Sequence, residues 1–123
     1  MFTERSSSGK HMICDIKGIK NLNKLNSSED LIFLLREICK KHNFGIIKEL
    51  SHVFIPIGHS ILFLLSESHI SIHSFPEKKH LSFDLYTCRE YDNDNEYNEI
   101  YHEIIHFFDA SNDSNLQIID RYF

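Results

Sequence analysis

An α+β two-layer sandwich, with a mainly antiparallel sheet and both helices on one face, is the fold class that this sequence predicts. Two observations carry the expectation. Apolar residues recur at helical spacing in only two stretches, one from Leu31 and one from Tyr97. Around them lie short segments rich in alternating apolar and polar residues, separated by Pro, Gly and charged turn residues. Neighbouring strands interrupted by helices at two separate places pack as one sheet with its helices segregated to a single face.

Taken in order, residues 1–8 are polar and serine-rich and read as a disordered leader; they lack the apolar stretch of a signal peptide. A first strand is expected over residues 11–17, closed by Gly18. The first helix starts near Asn26 or Ser27, where Asn26 with Glu29 or Ser27 with Asp30 forms a capping pair. Leu31, Leu34, Leu35 and Ile38 then define its buried face, and Phe44-Gly45 ends it, with Gly45 free to turn left-handed. Strands are expected over residues 46–54, 61–65, 69–75 and 81–88, with turns at Pro56-Ile57-Gly58 and over residues 76–79. The second helix covers residues 94–109, with Tyr97, Ile100, Tyr101, Ile104, Ile105 and Phe108 toward the core. A last strand runs over residues 116–122. Two helices each flanked by strands hint at a degenerate internal duplication, which no repeated sequence supports.

Composition narrows the possible functions. A chain of 123 residues is the size of one domain, so a single core is expected over residues 1–123. A formal charge of −5 argues against a grip on duplex DNA, which needs clustered Lys and Arg, and is compatible with handling cationic amines. Cys14, Cys39 and Cys88 are odd in number and far apart, which fits a reducing cytoplasm and leaves a thiol free for chemistry. The most apolar stretch, residues 55–65, is interrupted by Pro56, Gly58, His59 and Ser60 and is too short to span a bilayer. A soluble cytoplasmic protein is expected.

The segment Leu65-Ser66-Glu67-Ser68-His69-Ile70-Ser71-Ile72-His73-Ser74-Phe75-Pro76-Glu77 is the most informative. Two strands meet at Glu67-Ser68 with no Gly, Asn-Gly or Pro to make an easy hairpin. A tight junction centred on a serine is a place for backbone chemistry. The stretch resembles the self-processing site of the bacterial and archaeal S-adenosylmethionine decarboxylase family: a Ser-Glu-Ser-His turn, an alternating strand with a second His, then an aromatic-Pro-Glu. Phe54-Ile55-Pro56-Ile57-Gly58-His59-Ser60 resembles the family's Phe-x-Pro-x-Gly-x-Ser segment. Asp84-Leu85-Tyr86-Thr87-Cys88 resembles its Asp-Leu-aromatic-Thr-Cys strand, and Gly9-Lys10-His11 its opening Gly-basic-His. Four ordered segments at matching intervals are far more specific than one turn.

The resemblance implies a pyruvoyl-dependent decarboxylase, made as a proenzyme that cuts itself between Glu67 and Ser68 into residues 1–67 and 68–123. The Ser68 hydroxyl would attack the preceding carbonyl, and elimination and hydrolysis would leave a pyruvoyl group in its place, so no external cofactor is needed. His73 is assigned to processing, at the attacked carbonyl. Cys88 is assigned to catalysis, as the acid that returns a proton to the substrate, a task within reach of a tuned thiol. Ser60 and Glu67 flank the processing chemistry. Phe54, Phe75 and Glu77, with Ser60, resemble a substrate pocket for an adenine and a ribose. A homo-oligomer of processed protomers is implied, with pockets near the interface.

The bland readings stay open at this stage: Cys88 as a small buried hydrophobe, His73 as an ordinary strand histidine, Phe54 and Phe75 as core. Phe75 stands where many relatives carry Trp, and Ile61 where a small residue often follows the serine. The substrate alternatives are S-adenosylmethionine, feeding spermidine synthesis, and ornithine or arginine; a non-catalytic regulatory paralogue is a third class. His102-Glu103-Ile104-Ile105-His106 is also a literal HExxH, the zinc-protease signature. No third ligand follows at the extended spacing, where Asp109 and Asn112 stand. These histidines flank the core stripe, so they read as a solvated face and no metal is expected.

Overall fold

A computed structural model describes residues 6–123. Residues 1–5 of the expected leader lie outside the described residues. β1 (Ser7–Ile16) buries Met12, Cys14 and Ile16 completely, the period of two expected for a strand with one covered face. It begins four residues before the predicted strand and takes in Ser7 and Ser8, which composition had assigned to the leader. Backbone pairing of Ser7 with Tyr122 and Gly9 with Arg121 holds this end, and such pairing leaves no apolar period in the sequence.

A one-turn helix, α1 (Leu22–Leu25), precedes α2 (Ser28–Lys41). Of the two capping pairs, Ser27 with Asp30 forms: the Ser27 hydroxyl accepts from the Asp30 amide at 3.2 Å. Glu29 and Asp30 in the first turn and Lys40 and Lys41 in the last complement the helix dipole. Leu31, Leu34, Leu35 and Ile38 are buried as their spacing predicts, each contributing about 1.5–3 kcal/mol. The left-handed residue at the helix end is Asn43, at φ 60°, and not Gly45. Asn tolerates that conformation, which leaves Gly45 to give close passage to Ser66: a Cβ there would lie 2.6 Å from the Ser66 Oγ.

The remaining elements are β2 (Ile46–Val53), β3 (His59–Leu65), β4 (Ser68–Phe75), a 3-10 turn at Pro76–Lys78, β5 (His80–Thr87), α3 (Asn95–Phe108) and β6 (Asn115–Tyr122). β5 ends one residue before the predicted strand, so Cys88 stands just past it. The six strands form one sheet in the order β2-β3-β4-β5-β1-β6, antiparallel at every pair. One face, with Ile61, Phe63, Ile70, Ile72, Phe83 and Leu85, packs against both long helices in a single core. α3 contributes Tyr97, Ile100, Ile104 and Phe108 to it, with Tyr101 and Ile105 partly buried at its margin. This is the predicted two-layer α+β sandwich. The other face carries exposed His69 with His11, His73 and Tyr86 partly buried, and Leu50, Leu62 and Leu64 on β2 and β3 are about half exposed there. Among the described residues, no helix is long and apolar enough to cross a membrane.

Two outcomes follow from these packing relations. Ser27→Ala removes the α2 cap and is expected to lower stability by about 1 kcal/mol, read from denaturant unfolding. Burial pushes the Cys14 thiol up to about 12 and the Cys39 thiol up to about 11, while Cys88 is exposed. Iodoacetamide at about pH 8 should therefore alkylate Cys88 alone in the folded protein, and all three thiols after denaturation, by peptide mass mapping.

Candidate active site

Antiparallel pairing of β4 with β5 sets Ser68 opposite Thr87, so the start of one strand and the end of the next meet at one edge of the helix-covered face. The chain continues from Thr87 into Cys88 at this edge and turns from Glu67 into Ser68 beside it. The Cys88 thiol donates to the Glu67 carbonyl oxygen at 3.0 Å. That carbonyl belongs to the peptide bond linking Glu67 to Ser68. The Ser68 Oγ is buried and has no hydrogen-bond partner among the described residues, a costly condition for a hydroxyl and a reactive one.

Gly9 explains why β1 can pass so near. At φ +121°, a Cβ on it would lie 2.1 Å from the Thr87 carbonyl oxygen and 2.7 Å from the Cys88 Cα. Only glycine fits both the conformation and the space. The Gly9-Lys10-His11 opening thus belongs to the packing around Cys88.

Arg89, which the sequence reading did not single out, completes this end. Its Nε donates to the Glu67 carboxylate at 3.1 Å, and its other nitrogens donate to the His42 carbonyl at 2.6 Å and to the Asn43 carbonyl. The guanidinium lies 4.2 Å from the centre of the Phe44 ring. The only signal in the sequence was an Arg directly after a thiol; its partners are 22, 46 and 47 residues away, and spacing does not reveal such contacts.

The second group of candidate residues gathers at the other end of β4. Ser60 pairs with His73 across β3 and β4, and the Ser60 hydroxyl and the His73 Nδ1 share a hydrogen bond of 2.7 Å. Phe54, Ser60, His73, Phe75 and Glu77 all line one open cleft of about 310 Å³. Phe54 is 48% exposed and Phe75 38%, so neither belongs to the core. All four residues that the resemblance assigned to the substrate pocket share this cleft.

The two groups do not meet within one chain. His73 lies five residues beyond Ser68 along β4, roughly 16 Å at about 3.3 Å per residue. An odd separation also puts the two side chains on opposite faces: Ser68 toward the helices, His73 toward the open side. The implied place of His73 at the Glu67 carbonyl is therefore not reached inside a single protomer.

His102 and His106 are exposed on α3. Glu103, the acid of the HExxH pattern, points away from both: it contacts the Lys41 ammonium and lies 3.2 Å from the His42 Nε2. The buried His42 ring takes Glu96 on its Nδ1. The one set of ligand-type groups close enough to share an ion among the described residues is His42, Glu99 and Glu103, in which neither histidine of the motif takes part.

Comparison with known proteins points to one family. A family model for S-adenosylmethionine decarboxylase matches residues 10–121. An S-adenosylmethionine decarboxylase proenzyme of Clostridium botulinum is 35% identical over 81 residues, covering 66% of this chain and 69% of that one. One from a Sulfurihydrogenibium species is 38% identical over 80 residues, covering 65% of this chain and 59% of that one. The crystal structure of the adenosylmethionine decarboxylase from Aquifex aeolicus superposes with a TM-score of 0.81 at 27% identity, over 96% of this chain and 93% of that one. With its motifs in order, its six-stranded sheet and a family match spanning nearly its whole length, the chain belongs to the S-adenosylmethionine decarboxylase family.

Proposed function

We propose that this protein is a self-processing decarboxylase of S-adenosylmethionine, and that Ser68 becomes its pyruvoyl group when the chain breaks after Glu67. The observation that carries the reading is the contact of the Cys88 thiol with the Glu67 carbonyl, beside a buried Ser68 hydroxyl without a hydrogen-bond partner among the described residues. A hydroxyl without a partner keeps its lone pairs for attack, and a donor on the carbonyl oxygen favours the charge that develops there. In the processing step, the Ser68 Oγ bonds to the Glu67 carbonyl carbon and the C–N bond breaks, converting the amide into an ester. Elimination then removes the Ser68 Cα proton and breaks the Cβ–Oγ bond, freeing Glu67 as a carboxylate; the resulting dehydroalanine tautomerises to an imine, and water replaces its nitrogen, which leaves as ammonia. The residues at this edge therefore fit a pyruvoyl precursor.

Once formed, the group supplies an electron sink for loss of carbon dioxide from an amine-bearing acid. The work of the other residues is positioning and proton transfer. Cys88 stays beside the new N-terminus of the 68–123 fragment, where its thiol returns a proton to the substrate carbon. Phe54 and Phe75 offer faces for an adenine and for a sulfonium, whose attraction to an aromatic ring is worth about 0.5–2 kcal/mol. Glu77 offers a carboxylate to the ribose hydroxyls.

A second copy of this chain completes the site. Ser68 with Cys88 and His73 with Ser60 sit at opposite ends of one strand, so each chain carries two halves that cannot serve each other. Packing of the open sheet faces in a two-fold dimer would lay the start of one β4 near the end of the other and cover Leu50, Leu62 and Leu64. Three unpaired thiols fit a cytoplasmic home for this assembly.

The test of function combines a mass and an assay. Denatured wild-type protein is expected as two fragments, 1–67 and 68–123, the second with a blocked N-terminus, and Ser68→Ala as one intact chain. Processed protein should release labelled carbon dioxide from S-adenosylmethionine and not from ornithine or arginine. An intact wild-type chain after long incubation would instead indicate a non-catalytic protein. The shared site has its own test. Cys88→Ala and His73→Ala are each expected to lack turnover, and their co-expression to restore up to about a quarter of wild-type activity, the share of complete sites under random pairing. No recovery in co-purified mixed dimers would place each site within one chain.

A further inference from the structure

Arg89 makes more directed contacts than any other side chain near the Glu67–Ser68 bond, and the chemistry above leaves it without a task. It bridges two things. On one side are the His42 and Asn43 carbonyls at the C-terminal end of α2, groups that a helix end leaves without intrahelical donors. On the other is the Glu67 carboxylate, across a 3.1 Å hydrogen bond. Phe44 backs the guanidinium face.

The anchor on the helix side is itself fixed. The His42 ring is buried and held between Glu96 and Glu103 of α3, so the carbonyl that Arg89 grips cannot drift. Thr87 fixes the other end of the lever, its hydroxyl accepting from the Arg89 amide at 3.1 Å. Glu67 is thus held at two points: its side chain by Arg89 and its main-chain carbonyl by Cys88. Two points determine the tilt of a peptide plane, where one leaves it free to rotate. Glu67 is otherwise exposed in a turn with no Pro to restrict it.

We propose that Arg89 is a positioning residue for self-cleavage: by clamping the Glu67 carboxylate to the end of α2, it holds the Glu67 carbonyl on the Cys88 thiol and in line with the Ser68 hydroxyl. The proposal rests on the reading that the Glu67–Ser68 bond is the one that breaks. A planar, five-donor guanidinium suits the task because separate nitrogens in a rigid fork reach one carboxylate and two carbonyls in different directions, a spread that a compact ammonium does not offer. A misplaced carbonyl lowers the rate steeply without removing any reacting group.

The experiment follows the cleavage rate of freshly made proenzyme on denaturing gels, with circular dichroism to establish folding. Arg89→Ala is expected to fold and to cleave at least about tenfold more slowly than wild type. Added guanidinium ion, at concentrations well below those that unfold the protein, should restore part of the rate, and Arg89→Lys should remain slow. Glu67→Ala, which leaves the α2 carbonyls untouched, should slow cleavage to a similar degree, and the double variant should be little slower than either single one. Wild-type cleavage rates in folded Arg89→Ala would overturn the proposal, as would multiplying effects in the double variant. A slow rate that guanidinium leaves unchanged and that tracks a fall in melting temperature would assign Arg89 to stability alone, and overturn it too. Should Arg89→Ala fail to fold, a wild-type rate in Glu67→Ala would overturn it. A wild-type chain that never cleaves would instead remove the premise, an outcome visible before any variant is compared.

Discussion

Register between β4 and β5 is the constraint on which the rest of the candidate site depends. Ser68 lies opposite Thr87, and every later pair, down to Phe75 opposite His80, follows from that one alignment. Ile70 and Ile72 share the buried face with Phe83 and Leu85 only in this register; a slip of β4 by one residue would turn Ile70 and Ile72 toward solvent. The apolar core therefore enforces the alignment, and the alignment brings Cys88 to the Glu67 carbonyl. The geometry at the turn is held by apolar side chains that take no part in the proposed chemistry.

Alternation along β4 has a second consequence. Ser68, Ile70, Ile72 and Ser74 face the helices, whereas His69, Ser71, His73 and Phe75 face the open side. A strand with one buried face cannot present both Ser68 and His73 to the same space. Within the proposed mechanism, this division makes a partner surface a requirement of the site, and the half-exposed leucines on β2 and β3 give that surface apolar area to bury.

The polar contacts between the helices tie these features together. His42 ends α2 and is held between two carboxylates of α3, and Lys41 beside it reaches Glu99 and Glu103. Partly buried ion pairs of this kind add little net stability for their desolvation, but they fix where the helix ends. The carbonyls at that end are the ones Arg89 grips, so the α2–α3 packing extends to the turn at Glu67. The HExxH pattern finds its physical meaning here: Glu103 serves His42 and Lys41, and the two histidines of the pattern are left on the solvated side.

The sequence by itself determined the two long helices, the six strands to within a few residues, the fold class and the family, but not the one-turn α1. Period-two and helical apolar spacing are local properties that burial on one face imposes, so strands, helices and the covered face were legible without coordinates. The four motif segments were legible because each is contiguous. Contacts between residues far apart in the chain, which no spacing encodes, were decided by the tertiary structure alone. It set the Cys88 thiol on the Glu67 carbonyl, brought Arg89 to Glu67 and the end of α2, chose Asn43 over Gly45 as the left-handed residue, and required glycine at position 9 against Cys88. It also separated Ser68 from His73, which one motif had placed only five residues apart. Sequence proximity on a strand means opposite faces at odd spacing and about 3.3 Å per residue, and both follow from the extended backbone.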